Sequence, residues 1–141
     1  MKKTIFLLAL IVGLNQTGKS QTLVDSSLIG RDVQIFTRLE QPAQYQGSDS
    51  AWQSFLLSHL SKNVPINNGA PEGTYPVSIR FIVSKLGNIS DIEPETHFGY
   101  GMEDELIRVL KKSGKWVAGK QNNHIVNSFA RVQFTFIVGD N

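Results

Sequence analysis

Hydrophobic and polar positions alternate most regularly over Val77–Ser84: Val77, Ile79, Phe81 and Val83 share one face, and Ser78, Arg80, Ile82 and Ser84 the other. A period of two predicts a strand with one buried face. Lys85-Leu86-Gly87-Asn88 is a hairpin turn in which Gly87 supplies the positive φ, and Ile89–Glu93 is the return strand, ended by Pro94. Near the C-terminus, Ser128–Val138 reads as a long third strand with Ala130, Val132, Phe134, Phe136 and Val138 on its core face. Two other stretches have the helical period. Trp52, Phe55, Leu56, His59 and Leu60 form one face of a helix from Asp49 or Ser50 to Ser61, capped by Ser48 or Asp49. Met102, Leu106, Val109 and Leu110 stripe a second helix over Met102–Ser113. Its acidic first turn (Glu103, Asp104, Glu105) and basic end (Lys111, Lys112, Lys115) suit the helix dipole, and Gly114 stops it. The order helix, strand, strand, helix, strand predicts an α+β layer fold, a small sheet covered on one face by two helices.

Upstream the pattern changes. Lys2 and Lys3 precede an apolar run, Ile5–Leu14, and a polar stretch with Gly18 and Ser20 three and one residues before Gln21. This is the layout of a secretory signal peptide over 1–20, cut before Gln21. Ten apolar residues make a helix about 15 Å long, too short for about 30 Å of bilayer hydrocarbon. With no cysteine in the chain, lipidation at a new N-terminal cysteine is excluded. The expected location is the periplasm. Residues 21–47 read as an extended approach segment, with one short strand possible at Val33–Phe36, and the domain is expected over 48–141.

Export alters the charge. The whole chain carries 14 basic and 12 acidic residues; without Lys2, Lys3 and Lys19 the balance is 11 − 12 = −1. That is no footprint for nucleic acid, which needs a clustered basic face. An exported chain without disulfides depends on an apolar core.

Candidate chemistry is sparse. His59, His97 and His124 do not fall in a metal-ligand spacing, so neither a metal site nor a cofactor is expected. His59 lies on the apolar helix face and is expected to be a partly buried packing residue. Glu103-Asp104-Glu105 is expected to be a solvated first helix turn. His97-Phe98-Gly99-Tyr100-Gly101 precedes a helix but has no basic residue or fuller phosphate-loop pattern, and no glycine-flanked nucleophile elbow occurs. No catalytic residue is assigned, and a binding role is expected in place of an enzyme. Trp116, Phe81, Phe134 and Gly87 are expected to be structural.

The ordered set Tyr75–Val83, Gly87, Asn88–Ile92, then Gly99-Tyr100-Gly101, Glu105, Arg108-Val109, Lys111-Lys112, Lys115-Trp116 and Gln121-Asn122 resembles the C-terminal domain of the TonB family. Leu39-Glu40-Gln41-Pro42 with Tyr45 and Gly47, and the loop Asn68–Tyr75, are similar to segments that accompany this domain in TonB-like envelope proteins. The likeness spans roughly 34–138. It implies a three-stranded antiparallel sheet with two helices packed on one face. It also implies a role in which an extended segment of an envelope protein, such as a TonB-dependent receptor or transport complex, pairs with the sheet edge. The implied edge is the last strand, with Ser128, Ala130, Arg131, Gln133 and Thr135 as contact residues. TonB itself draws on an inner-membrane motor through an anchor and a Pro-rich spacer; the expected mature chain has neither, so energy transduction is not implied. Two other roles stand beside this one: an accessory that binds peptidoglycan through polar loops, and a hydrolase with an unfamiliar site.

Overall fold

Alternation produces the two longest strands of the computed structural model, which describes residues 33–139. The expected signal peptide and the stretch up to Asp32 lie outside the described residues. The elements in order are β1 (Ile35–Phe36), β2 (Gln44–Tyr45), α1 (Asp49–His59), α2 (Val64–Asn67), β3 (Gly73–Val83), β4 (Ile89–Pro94), α3 (Met102–Lys112), β5 (Trp116–Val117), β6 (Lys120–Gln121), β7 (His124–Ile125) and β8 (Asn127–Val138). Among the described residues no helix is long and apolar enough to cross a membrane.

The principal sheet has the order β1-β8-β3-β4. β3 pairs antiparallel with β8 from Gly73↔Val138 to Val83↔Ser128, and with β4 on its other side. β1 joins β8 in parallel through Ile35↔Asn127 and Phe36↔Ser128. The expected three-stranded antiparallel sheet is therefore a four-stranded mixed one. The α+β class and the helices on one face stand. Val77, Ile79, Phe81 and Val83 are fully buried against Trp52, Leu56 and Leu60 beside α1 and Met102, Leu106, Val109 and Leu110 of α3. Residues 33–47, expected as an approach, belong to the same compact unit: β2 pairs antiparallel with β5, and Tyr45 packs 5.5 Å from Trp52 and 5.7 Å from Trp116, ring centre to ring centre.

Local chemistry explains the ends and irregularities. Ser48 caps α1 by accepting from the Ala51 N–H at 3.2 Å. Gly87 turns the β3–β4 hairpin at φ 80°, and a Cβ there would lie 2.2 Å from the Trp116 carbonyl oxygen. That close approach carries the Trp116 N–H to the Gly87 carbonyl at 2.9 Å, so one glycine serves both turn and packing. In β4 an extra residue enters between the pairs Arg80↔Glu93 and Ile82↔Ser90, and Asp91 sits there at φ 49°, a bulge. Asn122 and Asn123, both at positive φ, form the two-residue turn between β6 and β7, a geometry that asparagine tolerates.

Three expectations about side chains change. Glu103 and Glu105 are buried, each 8% exposed, and only Asp104 of that turn faces solvent. The 96–99 loop folds over α3, so Glu103 accepts from the Thr96 hydroxyl and from the Phe98 and Gly99 N–H groups at 3.2, 2.8 and 3.2 Å. Glu105 accepts from the Ser61 N–H at 2.7 Å and from Arg108, whose guanidinium holds its carboxyl below the usual range. His59 is exposed, its ring stacked on Phe55 at 4.1 Å, because Trp52, Leu56 and Leu60 take the core-facing side of this segment and leave His59 on its outer flank.

Candidate functional site: the outer edge of β8

Backbone polarity decides which groups of β8 are free. In an antiparallel pair, alternate residues turn their N–H and C=O toward the partner. Ser78 fixes the phase. Its N–H donates to the Thr96 hydroxyl at 3.2 Å and its carbonyl accepts from the Glu95 N–H at 2.9 Å, both on the β4 side. Ser78 therefore turns away from β8, and so does Pro76, two residues earlier, which has no N–H to give. Their opposites, Gln133 and Thr135, form non-hydrogen-bonded pairs with β3. The main-chain groups of Arg131, Gln133, Thr135 and Ile137 point outward, away from β3. Those of Ser128, Ala130, Val132, Phe134 and Phe136 are engaged with Val83, Phe81, Ile79, Val77 and Tyr75.

This divides the five expected contact residues. Arg131, Gln133 and Thr135 have exposed side chains and outward-facing backbone. Ala130 is half-buried and its main chain is turned to β3. Ser128 is a correction: it is fully buried, it pairs with β3 on one side and β1 on the other, and it offers nothing to an incoming strand. Its hydroxyl is a buried side-chain oxygen with no hydrogen-bond partner among the described residues. Beyond Ser128, no strand pairs with the outer side of β8 among the described residues.

The two faces beside this edge differ. Toward the helices, a groove of about 340 Å³ lies between Arg131–Gln133 and Ala43–Tyr45, with Trp52, Trp116, Asp49 and Gln53 completing its walls. The residue of an added strand beside Val132 would share the face of Val132 and enter this groove. On the other face the sheet is polar. Arg131 holds Glu95 by two hydrogen bonds, the Nη2–Oε1 contact at 2.7 Å, and Ser78 donates to Glu95 at 2.8 Å. The Arg131 hydrogen bond, more than any other contact, lowers the Glu95 carboxyl to about 2. Arg80 pairs with Glu93 at 2.8 Å and lies 4.9 Å over the ring of Phe129. These pairs occupy the guanidinium groups, so the edge presents main-chain polarity more than net charge.

Residues expected to be structural sit behind the edge. Trp116 is 7% exposed, with Trp52 and Phe81 rings centred 5.4 and 5.0 Å away, and its indole N–H donates to Ser113 at 2.9 Å. Phe81 is fully buried; Phe134 is half-buried, 4.9 Å from Phe136. His97 and His124 are exposed, and among the described residues no three His, Asp or Glu side chains group as metal ligands. Sequence reasoning missed the groove walls Trp52 and Gln53, and the partner Glu95. The Trp52 signal was its helical spacing, which reads equally as core. Comparison with protein-family models, curated proteins and solved structures gives no match.

Proposed function

We propose that this protein is a binding module of the cell envelope that captures an extended segment of a partner protein by adding it as a strand to β8. The observation that carries the reading is the run of outward-facing N–H and C=O groups on Arg131, Gln133, Thr135 and Ile137. An unpaired edge of this kind is a template for main-chain pairing, and the adjoining groove supplies side-chain selection. The resemblance to the TonB C-terminal domain suggests the class of partner, an envelope transport protein or receptor. It also suggests periplasmic placement after removal of residues 1–20.

The test separates main chain from side chain. Peptides selected for binding from a displayed random library are measured against wild type, Gln133→Ala and Gln133→Pro. Proline removes an N–H that β3 does not use, so circular dichroism should show a folded variant. The expected result is near-wild-type affinity for alanine and loss of binding for proline. Equal affinity of a folded proline variant would place the binding surface elsewhere.

A further inference from the structure

The free edge of β8 stops where β1 begins, and β1 is held differently from the segment that follows it. Among the described residues β1 meets β8 at two residue pairs, Ile35↔Asn127 and Phe36↔Ser128, before the chain departs. Val33 is 68% exposed, and Ile35 and Phe36 are half-buried without packing against the core, whereas Ala43 and Tyr45 do pack against it. Where the chain leaves β8, a cavity of about 330 Å³ opens between Thr37, Pro42 and Ala43 on one side and Phe129–Arg131 on the other.

The next residues are fastened. The Gln41 N–H donates to the Lys120 carbonyl at 3.2 Å, and the Lys120 N–H donates back to the Gln41 carbonyl at 2.8 Å. The Glu40 N–H donates to the Gln121 side chain and the Asn122 N–H to the Glu40 carboxylate, each at 3.1 Å. Leu39 fills the space above Gly119, where a Cβ would lie 2.2 Å from its Cδ1. An anchor at Leu39–Gln41 thus carries a weakly held leading end.

We propose that β1 is a displaceable strand: the docking edge runs from Asn127 to Ile137, and Val33–Thr37 occupies its first positions until a partner strand takes them. The inference rests on the strand-addition reading. Release of the leading end leaves the anchor and the core in place. It adds the outward groups of Asn127 and Phe129 to those of Arg131–Ile137, so the partner pairs over a longer run. A leading end that is closed nine-tenths of the time lowers the apparent affinity of a competing strand about tenfold.

The test locks the leading end in the full chain. Ile35→Cys with Asn127→Cys places two cysteines at paired positions of neighbouring strands, whose backbones lie about 4.8 Å apart and so within the Cα–Cα range of a disulfide, in a chain that has no other cysteine. The probe is a fluorescent synthetic peptide copying Val33–Gln41, whose sequence already pairs with these positions. The oxidised form, whose leading end cannot open, should bind it at least about tenfold more weakly than the reduced form. Equal binding to both overturns the displaceable strand and leaves edge capture standing; binding to neither overturns both. A second arm needs no peptide. In the wild-type protein the Phe36 amide, which turns toward β8, should exchange with solvent at least about tenfold faster than those of Val132 and Phe134. Equal protection overturns the inference whatever the peptide does.

Discussion

β8 has a neighbour on each side, and the two are built differently. All 11 residues of β3 pair with it, and the apolar ones beneath are sealed by α1, α3 and Trp116. β1 contributes two residues, neither in the core, beside a cavity. Both are strands by hydrogen bonding, yet burial separates them. Apolar burial is worth about 25 cal/mol per Å², whereas a single net hydrogen bond contributes about 1 kcal/mol. The β3 side of β8 is consequently permanent, and the other side is where the protein can exchange partners.

The largest expected effect lies on the sealed side. Trp116→Ala should cost about 3–5 kcal/mol, read from the denaturant midpoint, because the ring touches Trp52, Tyr45 and Phe81 together. Phe36→Ala, on the β1 side, should cost about 1 kcal/mol. Similar losses at both sites would erase the distinction between the two neighbours. Next in size is a gain. Ser128→Ala removes a buried hydroxyl with no partner among the described residues and should stabilise by about 1 kcal/mol. A loss of similar size would show that the hydroxyl is satisfied.

The smallest effect concerns the outer face, where solvent screens the exposed Arg131–Glu95 pair and holds its worth well below what the carboxyl's shift alone would suggest. Glu95 titrates at about 2 in the folded protein, below its ordinary 4.5. Between those values the unfolded chain binds more protons, so stability rises with pH across that window. The contribution is complete above about pH 4.5 and is lost as pH falls toward 2. Melting temperature against pH should therefore decline over this range less steeply in Glu95→Gln than in wild type. An unchanged slope would mean that the Arg131–Glu95 pair adds nothing to folding.

The fold was legible wherever a single element sets its own pattern. The period of two over Val77–Val83 and the spacing of Met102, Leu106, Val109 and Leu110 placed those residues in the core, where they lie. What escaped depends on meetings between distant segments. Nothing in Glu103-Asp104-Glu105 shows that Thr96–Gly99 folds over to donate to Glu103. The pairing of β2 with β5 needs Tyr45 and Trp116, which lie far apart in sequence and share no periodic pattern. The binding edge was half legible. Side-chain alternation along β8 follows from the sequence, but which residues turn their backbone outward does not. That phase depends on register, and the Pro76–Thr135 pairing is the clue that supplies it.

Amide exchange along β8, followed residue by residue by NMR in the unliganded protein, tests the central claim most directly. The account predicts an alternating profile: slow exchange at Val132, Phe134 and Phe136, whose N–H groups bond to β3, and fast exchange at Arg131, Gln133 and Thr135, whose N–H groups face the open edge. Uniform protection through Arg131–Phe136 would contradict it, because the outer edge of β8 would then already be paired.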